Sequence, residues 1–178
     1  MIHDVGVAIR TLQAEGKIRT AMTVDTDVHH GNGTAAIFGN DASVFTLSIH
    51  QENNYPMPKP PSDEDNGLED GARDHEYLDA LEKGLLQALK KMTPDMIFYV
   101  GGADPYREDQ LGGLALTIEG LQKRDRLVFE HARSRGIPVV STLAGGYARR
   151  VVDTVRIHVN TILAARDVAL QQSPAGGK

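Results

Sequence analysis

Short apolar segments rich in β-formers alternate along this chain with longer amphipathic ones, and that alternation most constrains its fold. "IRTAMTV" (18–24), "SVFTLSI" (43–49), "MIFYV" (96–100) and "IPVVSTL" (137–143) read as strands. Between them, "DVGVAIRTLQAEG" (4–16) reads as a helix, with Asp4 as N-cap and Gly16 as stop signal. "GTAAIF" (33–38) reads as a short helix, and residues 75–92 as an amphipathic one with Tyr77, Leu78, Leu81, Leu85 and Leu89 on one stripe. Residues 117–136 and 149–169 complete the helices, and residues 50–73, rich in Pro, Asp and Gly, read as one long loop. Strands separated by helices predict an α/β fold, a parallel sheet flanked by helices, with strand order left open. In such sheets ligands bind beyond the carboxyl ends of the strands. Four polar segments follow predicted strands and share that rim: "DTDVHHGNG" (25–33), "HQENNYPMP" (50–58), "GGADPYRED" (101–109) and "AGGYARR" (144–150).

Composition narrows the chemistry. The chain has 178 residues, the length of one domain, with residues 171–178 expected to be a flexible tail. A formal charge of -5 argues against nucleic acid or an anionic membrane as main partner. The absence of cysteine excludes disulfides, thiolate metal sites and a cysteine nucleophile, so a metal here must use oxygen and imidazole nitrogen. No apolar run approaches the roughly 20 residues needed to cross a bilayer. "MIHDVGVAIR" lacks the pattern of a signal peptide, so a cytoplasmic location is expected.

Asp25, Asp27 and His29 are spaced by two, so a strand running through them would point all three side chains to one face. Asp104, at the end of another predicted strand, could join them. Three carboxylates and one imidazole on a low-dielectric rim repel one another unless a cation is present. A divalent ion on Asp27, His29 and Asp104, with Asp25 near a monovalent ion, would balance the charge, and three protein ligands with an open position suit catalytic zinc or ferrous iron. The competing reading is a solvated, capped loop. By the same measure the "GGAD" and "AGGY" glycines are ordinary turns, and Tyr147 packs on the last helix.

"VDTDVHHGNGT", "VGGADPYREDQLGG" and "TLAGGY", in this order, resemble the histone deacetylase and acetylpolyamine amidohydrolase superfamily. "NNYPMPKPPSD", "DHEYLDAL" and "LTIEGLQKRD" are most similar to class IV and bacterial members. The resemblance implies an arginase/deacetylase-like fold, with residues 1–170 a partial catalytic domain lacking its N-terminal part. It implies a zinc-dependent amide hydrolase that removes acetyl or other acyl groups from lysine side chains or polyamines. Asp27, His29 and Asp104 would be the zinc ligands, with Fe(2+) an alternative ion, and Tyr147 the donor to the substrate carbonyl. Asp25 and Ser48, with the backbone near Asp27, His29 and Ile49, would hold structural K+. Asn32 would support a catalytic histidine, and Tyr55, Gly145 and Gly146 would line the acyl-lysine channel.

The family's tandem histidine pair, its general base, has no counterpart here. It belongs N-terminal to the first helix, and His3 stands where the family has an asparagine of an Asn-Asp pair. His30 is read as structural, and His50, His75, His131 and His158 as surface or packing residues. Turnover is therefore expected to be weak or absent, and an unpaired sheet edge is expected to favour self-association. Two alternatives stay open: a non-catalytic metal-binding domain that binds acyl-lysine or assembles with another subunit, and an arginase-like ureohydrolase. The second is disfavoured by Gly31, which stands where two-metal members carry an aspartate.

Overall fold

The computed structural model describes residues 3–171; the expected tail beyond Gln171 lies outside them. The elements run α1 (Asp4–Ala14), β1 (Ala21–Asp25), α2 (Asn32–Phe38), β2 (Val44–Gln51), β3 (Glu64–Leu68), α3 (Asp74–Lys91), β4 (Met96–Gly101), α4 (Ile118–Ser134), β5 (Val139–Leu143) and α5 (Val151–Leu170). The five strands form one sheet in the order β3-β2-β1-β4-β5, every pairing parallel. This is the expected α/β architecture.

Alternation along the strands builds a core on each face. Met22 and Val24 of β1, Leu47 of β2 and Ile97 and Tyr99 of β4 pack with Tyr77, Leu81 and Leu85 of α3, Leu121 and Val128 of α4, and Ile157 and Ala164 of α5. Ala21, Val44 and Phe98 point the other way and meet Val5 and Ile9 of α1 and Phe38 of α2. β1 lies at the centre, with Asp25 beside Ser48 of β2 and Val100 of β4. Chain leaving β1 and chain leaving β4 therefore emerge side by side, which places the turn after Asp25 next to Asp104.

Three expectations change. The first strand begins at Ala21 because the Asp95 carboxylate accepts from the backbone N–H groups of Arg19 (2.7 Å) and Thr20 (3.0 Å), holding them off the ladder. α1 is capped by His3, whose Nδ1 accepts from Gly6 N–H at 2.9 Å, and Asp4 becomes the first helical residue. Gly16, at φ 67°, does end that helix as expected, since the left-handed region favours glycine. The long loop contains a strand, β3, whose polar "EDNGL" gives no apolar signal because it is an edge strand of alternating exposure. At the opposite edge, Val140 and Leu143 of β5 and Val151, Val155, Val159 and Ile162 of α5 are exposed.

Candidate metal centre

β1 stops at Asp25, and a turn, not a continued strand, carries Asp27 and His29. Strand alternation therefore does not align these side chains; hydrogen bonds across the turn do. Asp27 N–H donates to Asp25 Oδ1 (3.1 Å) and His29 N–H to Asp27 Oδ1 (3.0 Å). Val28 N–H donates to Asp104 Oδ1 at 2.8 Å, which locks the turn onto the chain leaving β4. Asp27, His29 and Asp104 each present a ligand atom within 4.8 Å of the others. His29 Nδ1 lies 2.9 Å from Asp27 Oδ1 and 3.6 Å from Asp104 Oδ2.

Glycines make room for this packing. A Cβ on Gly145 would overlap Asp104 Oδ2 and press on Asp27 Oδ2, while its N–H donates to Asp27 Oδ2 at 3.0 Å. A Cβ on Gly102 would come within 2.7 Å of both Asp104 Oδ1 and the Asp27 Cα. Gly145 thus lies against the carboxylates themselves. Gly146 lies against Ala103 and Thr154, and both glycines belong to the loop between β5 and α5.

The electrostatics are those of an excess of buried carboxylate. Burial, reinforced by Asp27, pushes Asp25 up to about 8. Burial also raises Asp104, to about 6, against the opposing hydrogen bond with His29. Asp27 is held below its usual range: burial works upward, but hydrogen bonds with His29, Asp104 and Gly145 outweigh it. His29 rises to about 10 through its contacts with Asp104 and Asp27. Two carboxylates and an imidazole converge, glycine clears the space beside them, and negative charge is in surplus. That donor set fits a divalent cation with oxygen and nitrogen preferences.

The other expected site residues fall around this cluster. Asp25 lies behind it, its Oδ2 2.7 Å from where a Gly31 Cβ would stand. Ser48 Oγ accepts from Gly31 N–H (3.2 Å) and meets His50 Nδ1 (3.0 Å). Asn32 opens α2, its N–H donating to His30 O at 2.7 Å. Tyr55 and Tyr147 are exposed on the rim, and Asp109 Oδ2 accepts from Tyr147 N–H at 2.6 Å. His3 bonds Thr34 Oγ1, away from the cluster.

Two features escaped the sequence reading. Beneath the cluster, the fully buried Arg124 donates to Gly102 O at 2.6 Å and Thr26 O at 3.3 Å, the backbone just before Asp104 and Asp27. Nothing in an amphipathic helix pattern sets Arg124 apart from its exposed neighbour Arg126. Second, His50 is fully buried in β2 rather than near a surface loop, and its ring meets that of His30 edge-on, with centroids 4.7 Å apart. Burial and the neighbouring His30 hold His50 down at about 4.

A central parallel sheet with carboxylates and an imidazole gathered at the carboxyl ends of β1 and β4 defines an α/β protein with a candidate metal centre. The histone deacetylase domain matches residues 1–163, and the chain belongs to that family. An uncharacterized protein of Picosynechococcus sp. is 43% identical over 168 residues, covering 94% of this chain and 56% of its own length. Histone deacetylase 2 of Arabidopsis thaliana is 30% identical over 159 residues, covering 85% of this chain and 41% of its own. In fold, the chain is similar to the acetylpolyamine aminohydrolase of Burkholderia pseudomallei, with TM-score 0.81 at 22% identity over 94% of this chain and 50% of that one. The chain thus spans about half the length of these relatives. Among the described residues, no helix is long and apolar enough to cross a membrane.

Proposed function

We propose that this chain is the metal-holding part of a zinc-dependent deacetylase that hydrolyses the amide of an acyl-lysine side chain or an acetylated polyamine in the cytoplasm. The observation that carries the reading is the convergence of Asp27, His29 and Asp104 within 4.8 Å, in a chain that belongs to the histone deacetylase domain family. Asp27, His29 and Asp104 would hold Zn(2+), with Fe(2+) also suited to these donors. When bound, such an ion polarises the amide carbonyl and lowers the pKa of its water. Gly145 holds the Asp27 carboxylate through its N–H and, lacking a side chain, leaves room for that of Asp104. Tyr147 would donate its hydroxyl to the carbonyl oxygen as that atom gains charge, an interaction whose loss typically costs about a hundredfold to a thousandfold in rate. Tyr55 would flank the acyl chain, and Asp25 and Ser48 would hold K+ behind the triad.

No residue of this chain is assigned the proton-accepting role. His30 and His50 sit in a separate cluster, and His3 is committed to capping α1. Metal and acyl-lysine binding are therefore expected to exceed turnover. The test is Zn(2+) and hydroxamate titration of the purified chain, run beside an acetyl-lysine peptide deacetylation assay. Metal-dependent hydroxamate binding that Asp104→Asn abolishes supports the reading. A chain that binds neither, or that turns over the peptide at the rate of a full enzyme, overturns its binding or its proton-transfer part respectively.

A further inference from the structure

Neighbouring residues His29 and His30 send their imidazoles to different clusters. The second comprises His30, His50 and Asp65, whose ligand atoms also lie within 4.8 Å of one another. We propose that His30, His50 and Asp65 form a second divalent-metal site that takes a Zn(2+)-like ion and ties edge strand β3 to the turn after β1. The proposal does not rest on the deacetylase reading.

Three separate chain segments supply the ligands. His30 comes from the turn after β1, His50 from β2 and Asp65 from β3, where Asp65 is the register partner of Ser48. Ser48 and His50 are two apart on one strand, so Ser48, His50 and Asp65 share a face of the sheet. Both imidazoles are buried, and the Asp65 side chain is 33% exposed, which leaves an ion an entry from solvent. His30 Nε2 faces Asp65 Oδ1 at 2.9 Å.

The surroundings of His50 are those of a metal-ligating histidine. Such a ring usually engages an oxygen with its other nitrogen, which fixes tautomer and orientation. His50 Nδ1 meets Ser48 Oγ at 3.0 Å, which leaves Nε2 free to act as ligand. Glu52 Oε2 lies 3.7 Å from that Nε2, close enough to add a fourth ligand or to hold a water. Zinc–nitrogen and zinc–oxygen bonds of about 2.0–2.2 Å put ligand atoms about 3.4 Å apart on a tetrahedron, so the cluster need close by only on the order of 1 Å.

A purely structural hydrogen-bond cluster would be expected to satisfy its own buried groups. This one leaves a ring nitrogen unaccounted for: His30 Nε2 is engaged by Asp65 Oδ1 and by Ser62 Oγ at 3.4 Å, while Nδ1 is buried with no hydrogen-bond partner. The consequence of an ion here reaches the first cluster, because His30 follows His29 directly. An ion on His30 would stiffen the turn that presents Asp27 and His29.

The untagged chain, stripped with chelator, is titrated with Zn(2+) by calorimetry, and bound metal is counted by mass spectrometry. Two equivalents are expected for the wild type, and one for His50→Gln and for Asp65→Asn. Asp104→Asn should lose the other equivalent and keep this one. Titration with Co(2+) adds a signature: a visible band that survives Asp104→Asn and disappears in Asp65→Asn. If circular dichroism shows His50→Gln unfolded, Asp65→Asn, altered at a partly exposed side chain, decides. A wild type that binds a single equivalent, lost in Asp104→Asn, overturns the second site while sparing the first. Two equivalents persisting in Asp65→Asn also overturn it. A single equivalent kept in Asp104→Asn and lost in Asp65→Asn supports this site and sinks the first.

Discussion

Two clusters of buried charge meet at the ends of β1 and β4, and their bookkeeping differs. In the lower one, Arg124 and Asp125 are both fully buried, paired at 2.7 Å, and closed by hydrogen bonds from Tyr99 and from Thr161 at 2.6 Å. One positive group meets one negative group, and the leftover guanidinium N–H groups go to the carbonyls of Gly102 and Thr26. In the upper one, Asp25, Asp27 and Asp104 share a single imidazole, and burial pushes Asp25 up to about 8 and Asp104 up to about 6. A cluster whose charges cancel internally holds the fold. A cluster with surplus carboxylate is built for something that arrives. The first also frames the second, since Arg124 and the Tyr77 hydroxyl both hold Thr26 O, directly before Asp27.

The largest expected effect is on the closed cluster. Arg124→Met should leave Asp125 buried and unpaired and lower unfolding stability by about 3–5 kcal/mol, read from the urea midpoint in chelator. Adding Asp125→Leu should recover part of the loss, because both charges are then gone. A drop of less than about 1 kcal/mol in the single variant would mean the pair is not the frame described.

The open cluster should respond with the opposite sign. Asp104→Asn relieves like-charge repulsion, so without metal the variant should be as stable as wild type or more so. Its Zn(2+) affinity should fall on the order of a hundredfold or more, through loss of a ligand. If Asp104→Asn destabilised the metal-free chain as much as Arg124→Met does, the contrast between the clusters would collapse.

That contrast was only half legible in the sequence. Strand and helix patterning predicted the parallel α/β sheet, because buried parallel strands read as short continuous apolar runs and amphipathic helices carry a strong apolar period. Asp27, His29 and Asp104 stood out because charge directly after a buried strand is conspicuous. Their alignment was expected from a strand running on through Asp25, whereas cross-turn hydrogen bonds supply it. β3 was silent because an edge strand can be polar on both faces. Arg124 and Asp125 were silent too, since their burial depends on α4 packing against both the sheet and α5, which no local window contains. His50 looked like a loop residue because β2 runs two residues past its apolar stretch.

Glycine substitutions sharpen the comparison at smaller scale. Gly145→Ala places a methyl group on Asp104 and Asp27, and should weaken Zn(2+) binding by about tenfold to a hundredfold, as loss of a ligand-orienting contact does. Gly16→Ala puts a methyl group into open space at φ +67°, and should cost about 1 kcal/mol of stability with metal binding unchanged. Titration of both variants beside their unfolding curves separates crowding of the site from backbone strain. Equal effects on metal affinity would show that Gly145 acts through the fold alone.

The smallest effect tests whether the Arg124 charge is felt outside its own cluster. His158 on α5 is held below its usual value, first by partial burial and then by the positive charge of Arg124, with Asp125 acting the other way. Its Nδ1 is buried without a hydrogen-bond partner, so no contact rewards the protonated ring. The unfolded chain takes up that proton near pH 6.5, while the folded chain resists it to lower pH. The unfolded state therefore binds more protons in that window, and the stability due to neutral His158, fully present above about pH 6.5, is lost as the pH falls towards the depressed folded value. Unfolding midpoints at pH 7.5 and 5.5 should fall less in His158→Gln than in wild type, with the carboxylates contributing equally to both. In the Arg124→Met background the benefit of His158→Gln should shrink, because the charge that adds to the depression is gone. An unchanged benefit there would assign the depression to burial alone and confine the influence of Arg124 to Asp125 and the carbonyls it holds.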